Sequence, residues 1–230
     1  FRATKYSGHE LTAGVAFGTL SARGDVAGIV IENTLIDHNR HRDSGYGGIF
    51  LDNCSHCAVR DNQVLENAQH RGIFLMDPVQ SVVQNNFVHR PGGTGIPFYS
   101  SSRSQIIGNV ITDGNGSHAN GITAYLPPSE QLLIAGNYVF DCNSPITFHD
   151  AVDLTIYNNI IDANGRDSNI NEWTRSSGGT ILIANNTLVG NERDYAINIC
   201  DSCDAHYIIK NNITDGLDTD LPASYDYGHN

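Results

Sequence analysis

Positive charge is scarce in this chain: 13 Lys and Arg stand against 25 Asp and Glu in 230 residues, a formal charge of −12. A nucleic-acid partner needs a basic footprint, so that class is excluded, and an anionic membrane surface with it. No apolar run approaches the ~18 residues needed to cross a bilayer. The opening Phe1-Arg2-Ala3-Thr4-Lys5 lacks the apolar core of a secretion signal. Five cysteines are few and odd in number, so disulfides cannot frame the fold. Cys54-Ser55-His56-Cys57 and Cys200-Asp201-Ser202-Cys203 have ligand-like spacing. They fall six repeats apart, ~29 Å at one strand spacing per repeat, too far to share a zinc ion. Local disulfides or buried thiols are expected instead, with Cys142 buried. One Met, one Trp, low charge and no sustained 3.6-residue period exclude a helical protein.

What is present is a repeat, the first thing to seek in such a chain. Asn33, Asn62, Asn86, Asn109, Asn137, Asn159, Asn186 and Asn212 each follow two or three aliphatic residues. Three positions before them stand Val30, Val59, Val83, Ile106, Ile134, Ile156, Ile183 and Ile209, and an aliphatic residue follows two positions after all but the last. A second strand precedes six of them, Asn62, Asn86, Asn109, Asn137, Asn159 and Asn212: Gly48-Ile49-Phe50-Leu51-Asp52, Gly72-Ile73-Phe74-Leu75-Met76, Gly95-Ile96-Pro97-Phe98-Tyr99, Gly121-Ile122-Thr123-Ala124-Tyr125, Pro145-Ile146-Thr147-Phe148-His149 and Ala196-Ile197-Asn198-Ile199-Cys200. A βαβ crossover needs ~30 residues or more, and these circuits are shorter. The chain satisfies its backbone by winding, each strand pairing in parallel with its equivalent one coil away. The expected fold is all-β: a parallel β-helix of about eight coils, one domain over 1–230 with irregular ends at 1–12 and 217–230. Ile and Val fill the lumen, and the asparagines stack in a corner ladder, where Asn tolerates left-handed backbone angles.

These G-I-x-x-x strands and x-N-N-x-[VI] corners resemble the right-handed parallel β-helix repeats of the pectate-lyase-like superfamily, over roughly residues 13–216. The resemblance implies a carbohydrate-active protein, since that superfamily includes polysaccharide lyases, glycoside hydrolases, mannuronan C5-epimerases and phage tailspikes. It does not select among them. The N-T-D, D-D, G-H-G and R-I-K set is absent, and Asp77-Pro78-Val79 shares only two letters with D-P-H.

Side chains alternate along a strand. Ile and the residue two later point inward, leaving Phe50, Phe74, Pro97, Thr123, Thr147 and Asn198 in one outward column and Asp52, Met76, Tyr99, Tyr125, His149 and Cys200 in the next. Trp173 lies 24 residues after His149 and joins the second column, although Glu172 then falls at an inward place. Tyr99, Tyr125, His149 and Trp173 form a stripe with ~5 Å between neighbours, suited to stacking on a linear polysaccharide. His41-Arg42, His70-Arg71 and His89-Arg90 lie at nearby corners, where cations in an acidic protein suit an anionic substrate.

The expected chemistry is C5 proton abstraction from a uronic acid followed by β-elimination or, less often, epimerisation. It needs a base, an acid and a group that neutralises the carboxylate. His149 and Tyr125 supply base and acid, Arg71 or Arg175 the neutraliser, and Asp52, Asp77 or Asp150 orients a histidine or holds Ca²⁺. Tyr99, Trp173, His70, Arg175 and Asp52 bind substrate, and Asp52 with Asp77 is the candidate pair for an optional Ca²⁺. Glycoside hydrolysis by paired carboxylates, Asp52 with Asp77 or Asp150 with Asp43, is the first alternative, and a non-catalytic binding or fibre module the second. Solenoids need covered ends, so the chain reads either as part of a longer protein or as one member of an oligomer. Its setting is extracellular or periplasmic.

Overall fold

Every stretch in which aliphatic residues alternate with polar ones becomes a short strand, and every strand pairs in parallel with its equivalent one coil away. The computed structural model describes residues 2–4, 10–16, 20–37, 47–66, 71–116, 118–126, 129–174, 176–190, 195–199, 204–214 and 225–228. Among these, all regular elements are strands. One face stacks nine of them, including Ile49–Asp52, Ile73–Met76, Ile96–Tyr99, Ile122–Tyr125, Ile146–His149, Ile170–Thr174 and Ile197–Asn198. The register is the one the G-I-x-x-x alignment predicts: Ile49 opposite Ile73, Ile96 opposite Ile122, Ile122 opposite Ile146, Ile146 opposite Ile170 and Ile170 opposite Ile197. The strands flanking the asparagines form the rest of the wall, and short pairings such as Ser129–Glu130 with Ala151–Val152 close the circuit. The protein is a parallel β-helix.

The asparagine corner holds adjacent coils together. Asn62, Asn86, Asn109, Asn137, Asn159, Asn186 and Asn212 are all buried. Each Oδ1 accepts from the backbone N–H of the ladder residue one coil earlier, as in Asn86 N to Asn109 Oδ1 at 2.9 Å and Asn109 N to Asn137 Oδ1 at 2.9 Å. Each Nδ2 reaches back to a strand carbonyl, as Asn109 Nδ2 does to Val83 O at 3.0 Å. The left-handed backbone falls on the preceding residue, at Asp61, Asn85, Gly108, Gly136, Asn158, Asn185 and Asn211, all with positive φ. The expectation that the ladder asparagines themselves adopt these angles is corrected accordingly. Asn33 also has positive φ (51°), and Thr34 donates its N–H to Asn62 Oδ1 at 3.0 Å. The first repeat is therefore displaced by one residue: Thr34 holds the ladder place, and Ile31, opposite Val59, rather than Val30, faces the lumen. The ladder spans about six turns between Asn62 and Asn212, fewer than the eight coils expected.

The lumen is narrow. Val59, Val83, Ile106, Ile134, Ile156, Ile183 and Ile209 are fully buried, as are Leu51, Leu75, Phe98, Ala124 and Phe148 on the facing strands. The glycine opening each G-I strand is a packing requirement. A Cβ on Gly72 would lie 2.5 Å from both Gly95 O and Val88 Cγ1, and one on Gly95 would lie 2.5 Å from Ile111 Cγ2.

Candidate functional site

The nine-stranded face presents a single row of aromatic rings. Met76 lies opposite Asp52 on one side and Tyr99 on the other, and Tyr99 lies opposite Tyr125. Parallel pairing in register stacks equivalent side chains at about the strand spacing, and the rings follow it. Tyr99 to Tyr125 is 4.9 Å between centroids, Tyr125 to His149 is 4.5 Å and His149 to Trp173 is 5.2 Å, and Phe74 of the neighbouring column meets Tyr99 at 4.7 Å. The two contacts of His149 are edge-on, at 90° and 81°.

The other outward column does not face solvent. Phe50, Phe74, Thr123 and Thr147 are at most 5% exposed, which corrects the expectation of an open two-column face. Arg23 lies over the Phe50 ring at 5.3 Å and Arg71 over Phe74 at 4.6 Å. The Thr123 and Thr147 hydroxyls bond each other at 2.6 Å, and Asn171 meets Asp167 and Asn198. Covered in this way, the face narrows to the aromatic row.

His149 differs from the rest of the row. It is buried, its Nε2 has no hydrogen-bond partner, and desolvation holds its pKa below the ordinary imidazole value of 6.5. The ring is therefore neutral at pH 7, with an unused polar atom beside two exposed rings, Tyr125 and Trp173. Arg71 donates from Nη2 to the Tyr99 hydroxyl at 2.9 Å and stacks 5.3 Å from that ring. Tyr99 and His149 are two coils apart, about 10 Å, so Arg71 serves the far end of the row.

The remaining predicted residues are spread more widely. The Asp52 carboxyl is raised above its ordinary value by burial first and by the charge of Asp77 second, with Arg23 opposing. Asp77 lines a shallow depression of about 300 Å³ with Asp25, Asn53 and Cys54. Asp150, a left-handed turn residue, spends Oδ1 on the Ser177 N–H at 2.9 Å, so its observed partner is backbone rather than a histidine. His70, Arg175, His41, Arg42, Asp43 and the Cys200–Cys203 pair lie outside the described residues. His89 and Arg90 are engaged with Glu66, Asp113 and Thr112. Cys54, Cys57 and Cys142 are free and buried. Burial pushes the Cys142 thiol up to about 12.

Trp173 reaches the row by an irregularity. Phe148 pairs with Glu172 but His149 pairs with Thr174, so Trp173 is an extra residue at a bulge. Glu172 takes the inward place that Leu51, Leu75 and Phe148 hold in other coils. It is buried and accepts from Ser176 N at 3.0 Å, Ser176 Oγ at 2.6 Å and the Tyr207 hydroxyl at 2.7 Å. The charged letter in an inward column was the available sequence signal for this cluster. Tyr207, 35 residues away, carried none.

Winding and row together define the molecule as a parallel β-helix with a partly exposed aromatic track. Residues 21–192 match the family model described as "Periplasmic copper-binding protein (NosD)", and the chain belongs to that family. Solved structures share the fold at low identity. A variant of the periplasmic alginate epimerase AlgG matches at TM-score 0.68 and 15% identity, over 84% of this chain and 47% of that one. The surface adhesin PfbA of Streptococcus pneumoniae matches at 0.64 and 12%, over 93% and 59%. An alginate lyase from Paenibacillus sp. matches at 0.62 and 13%, over 100% and 98%. The chain spans about half the length of the AlgG structure it matches. Curated protein sequences give no match.

The family description implies copper, which takes thiolate, thioether or imidazole donors. Among the described residues no three His, Cys, Asp or Glu side chains converge. The thiols of Cys54 and Cys57 are walled into the lumen, and Cys54 is raised by its hydrogen bond with Cys57 and by burial. The described residues do not fit a resident copper ion.

Proposed function

We propose that the chain is a periplasmic or extracellular carbohydrate-active β-helix protein. In this reading it acts on a linear, uronate-containing polysaccharide by abstracting the C5 proton and eliminating the group at C4. The observation that carries the reading is His149: neutral, buried, with an unbonded Nε2, and set in a row of rings spaced like the coils. Tyr99, Tyr125 and Trp173 offer faces and edges to successive sugars. The neutral imidazole of His149 takes the C5 proton, the C5–H electron pair becomes the C4–C5 double bond, the C4–O4 bond breaks, and the Tyr125 hydroxyl protonates the departing O4. Re-protonation of C5 from the opposite face would give epimerisation instead. Arg71 binds the carboxylate of a sugar near Tyr99, about two coils from the reacting one, and Arg175 is left as the neutraliser of the reacting carboxylate. The similarity of fold to an alginate lyase and an alginate epimerase supports the substrate class. Any Ca²⁺ would fall to Asp52 and Asp77, whose two carboxylates fill only part of its ~6–8 oxygen shell; no step above runs through it.

The test is to incubate the protein with alginate, polygalacturonate and neutral polysaccharides while following ultraviolet absorbance and reducing ends together. Elimination raises both, and His149→Gln should lower kcat on the responsive polymer by about 10²–10⁴-fold, the usual contribution of a general base. Undiminished turnover in that variant withdraws His149 as the base. A second reading, hydrolysis, is favoured by the raised carboxyl of Asp52 beside Asp77, the arrangement of an acid with a second carboxylate. It predicts reducing ends without new absorbance and their loss in Asp52→Asn. Binding without either product identifies a recognition module.

A further inference from the structure

Parallel strands rarely carry bulges, and bulges next to functional surfaces commonly re-aim a side chain. The bulge at Trp173 lies between the ring of His149 and a carboxylate inside the lumen. A regular strand would put Trp173 opposite His149; the observed register puts Thr174 there and leaves Trp173 extra, 43% exposed, with its ring edge-on to the imidazole. Directly before it, Glu172 occupies a place that is apolar in the coils below. A carboxylate among aliphatic side chains is costly unless its oxygens are satisfied. Here both are: Oε1 by the N–H and hydroxyl of Ser176, and Oε2 by the hydroxyl of Tyr207, which comes from the strand His206–Lys210. Ser176 in turn receives the Ala151 N–H on its Oγ at 3.3 Å, which ties the cluster to the corner that follows His149. The anchor thus spans the coil below the bulge, the coil that contains it and the coil above.

We propose that Glu172 is a positioning residue: clamped by Ser176 and Tyr207, it holds the bulge that carries the Trp173 indole onto the edge of His149. The indole then covers the edge of the imidazole at 5.2 Å between centroids, at the end of the row opposite Arg71. This meaning for substrate rests on the reading of His149 given above, but the positioning itself can be measured without any substrate. Glutamine keeps the shape and can serve Ser176 through its carbonyl and Tyr207 through its amide, the phenol then accepting. Leucine, native to the same column at Leu51 and Leu75, packs without the clamp.

Trp173 is the single tryptophan, so its emission reports this position alone. His149→Gln should change the emission intensity and spectrum in the wild-type background and in Glu172→Gln, and should change neither in Glu172→Leu, where the indole has left the imidazole. The same response to His149→Gln in all three backgrounds would overturn the proposal. Should Glu172→Leu fail to fold, Tyr207→Phe combined with Ser176→Ala removes both clamping hydroxyls, leaves Glu172 only the Ser176 backbone N–H, and keeps the volume. Loss of the response there supports the proposal, and its persistence overturns it. On a polysaccharide that responds, Glu172→Leu should raise KM more than it lowers kcat, while Glu172→Gln restores both. A lost emission response with wild-type KM would uphold the positioning and refute the use of Trp173 by substrate. Absence of turnover in the wild type refutes the elimination reading and leaves the emission experiment to decide the clamp.

Discussion

At the scale of single residues, burial decides what each polar group can do. His149 is held neutral by desolvation, so the unfolded chain binds a proton at pH values where the folded chain does not. Its contribution to stability is fully present above about pH 6.5 and declines as pH falls from there towards the lower folded value. Melting temperature should therefore fall on acidification below pH 6.5, and His149→Asn should flatten that part of the profile. The acid limb of kcat/KM should likewise lie below 6.5 if the neutral ring is the base. The ladder asparagines show the same logic with amides. Asn109→Ala removes the acceptor for Asn86 N and the donor to Asn137 Oδ1 and Val83 O. At about 1–3 kcal/mol for each buried group left unpaired, denaturant titration should show a loss of about 2–4 kcal/mol. These asparagines were legible as structural from their regular spacing. The isolation of His149 was not, because nothing in one strand says what its neighbours leave unbonded.

At the scale of the element, the G-I-x-x-x strand works because its first residue has no side chain. The position lies against the next coil's backbone and a lumen-facing Val or Ile, so even a methyl group meets hard atoms. Gly95→Ala should cost about 1–3 kcal/mol through overpacking, read as a lower melting temperature with unchanged pairing in the circular dichroism spectrum. Alternation along these strands, together with equal spacing between coils, made the inward columns and the Tyr99–Tyr125–His149 row readable in advance. Two features of the same strands were not. Phe50, Phe74 and Thr147 are outward by alternation yet buried, because arginines and corner residues fold over them. The bulge at Trp173 depends on a clamp that includes Tyr207, a contact no local pattern encodes.

At the scale of the whole molecule, each coil depends on those above and below it, so a central lesion propagates while a peripheral one does not. Ile134 is fully buried at mid-height, and Ile134→Asp places a charge in the lumen. Circular dichroism should show no folded protein. Ile213, 68% exposed in the coil of the last ladder asparagine, should accept Asp within about 0.5 kcal/mol. Winding, the parallel register, the lumen columns and the asparagine corner were all written in the order of residues, because a strand's two-residue period and a near-constant circuit leave a mark in one dimension. The one-residue displacement at Thr34, the covering of half the outer face, the unbonded nitrogen of His149 and the anchoring of Glu172 arise only once corners of unequal length have folded back over the coils. Their causes lie in groups far apart in the chain, which meet because the solenoid closes on itself.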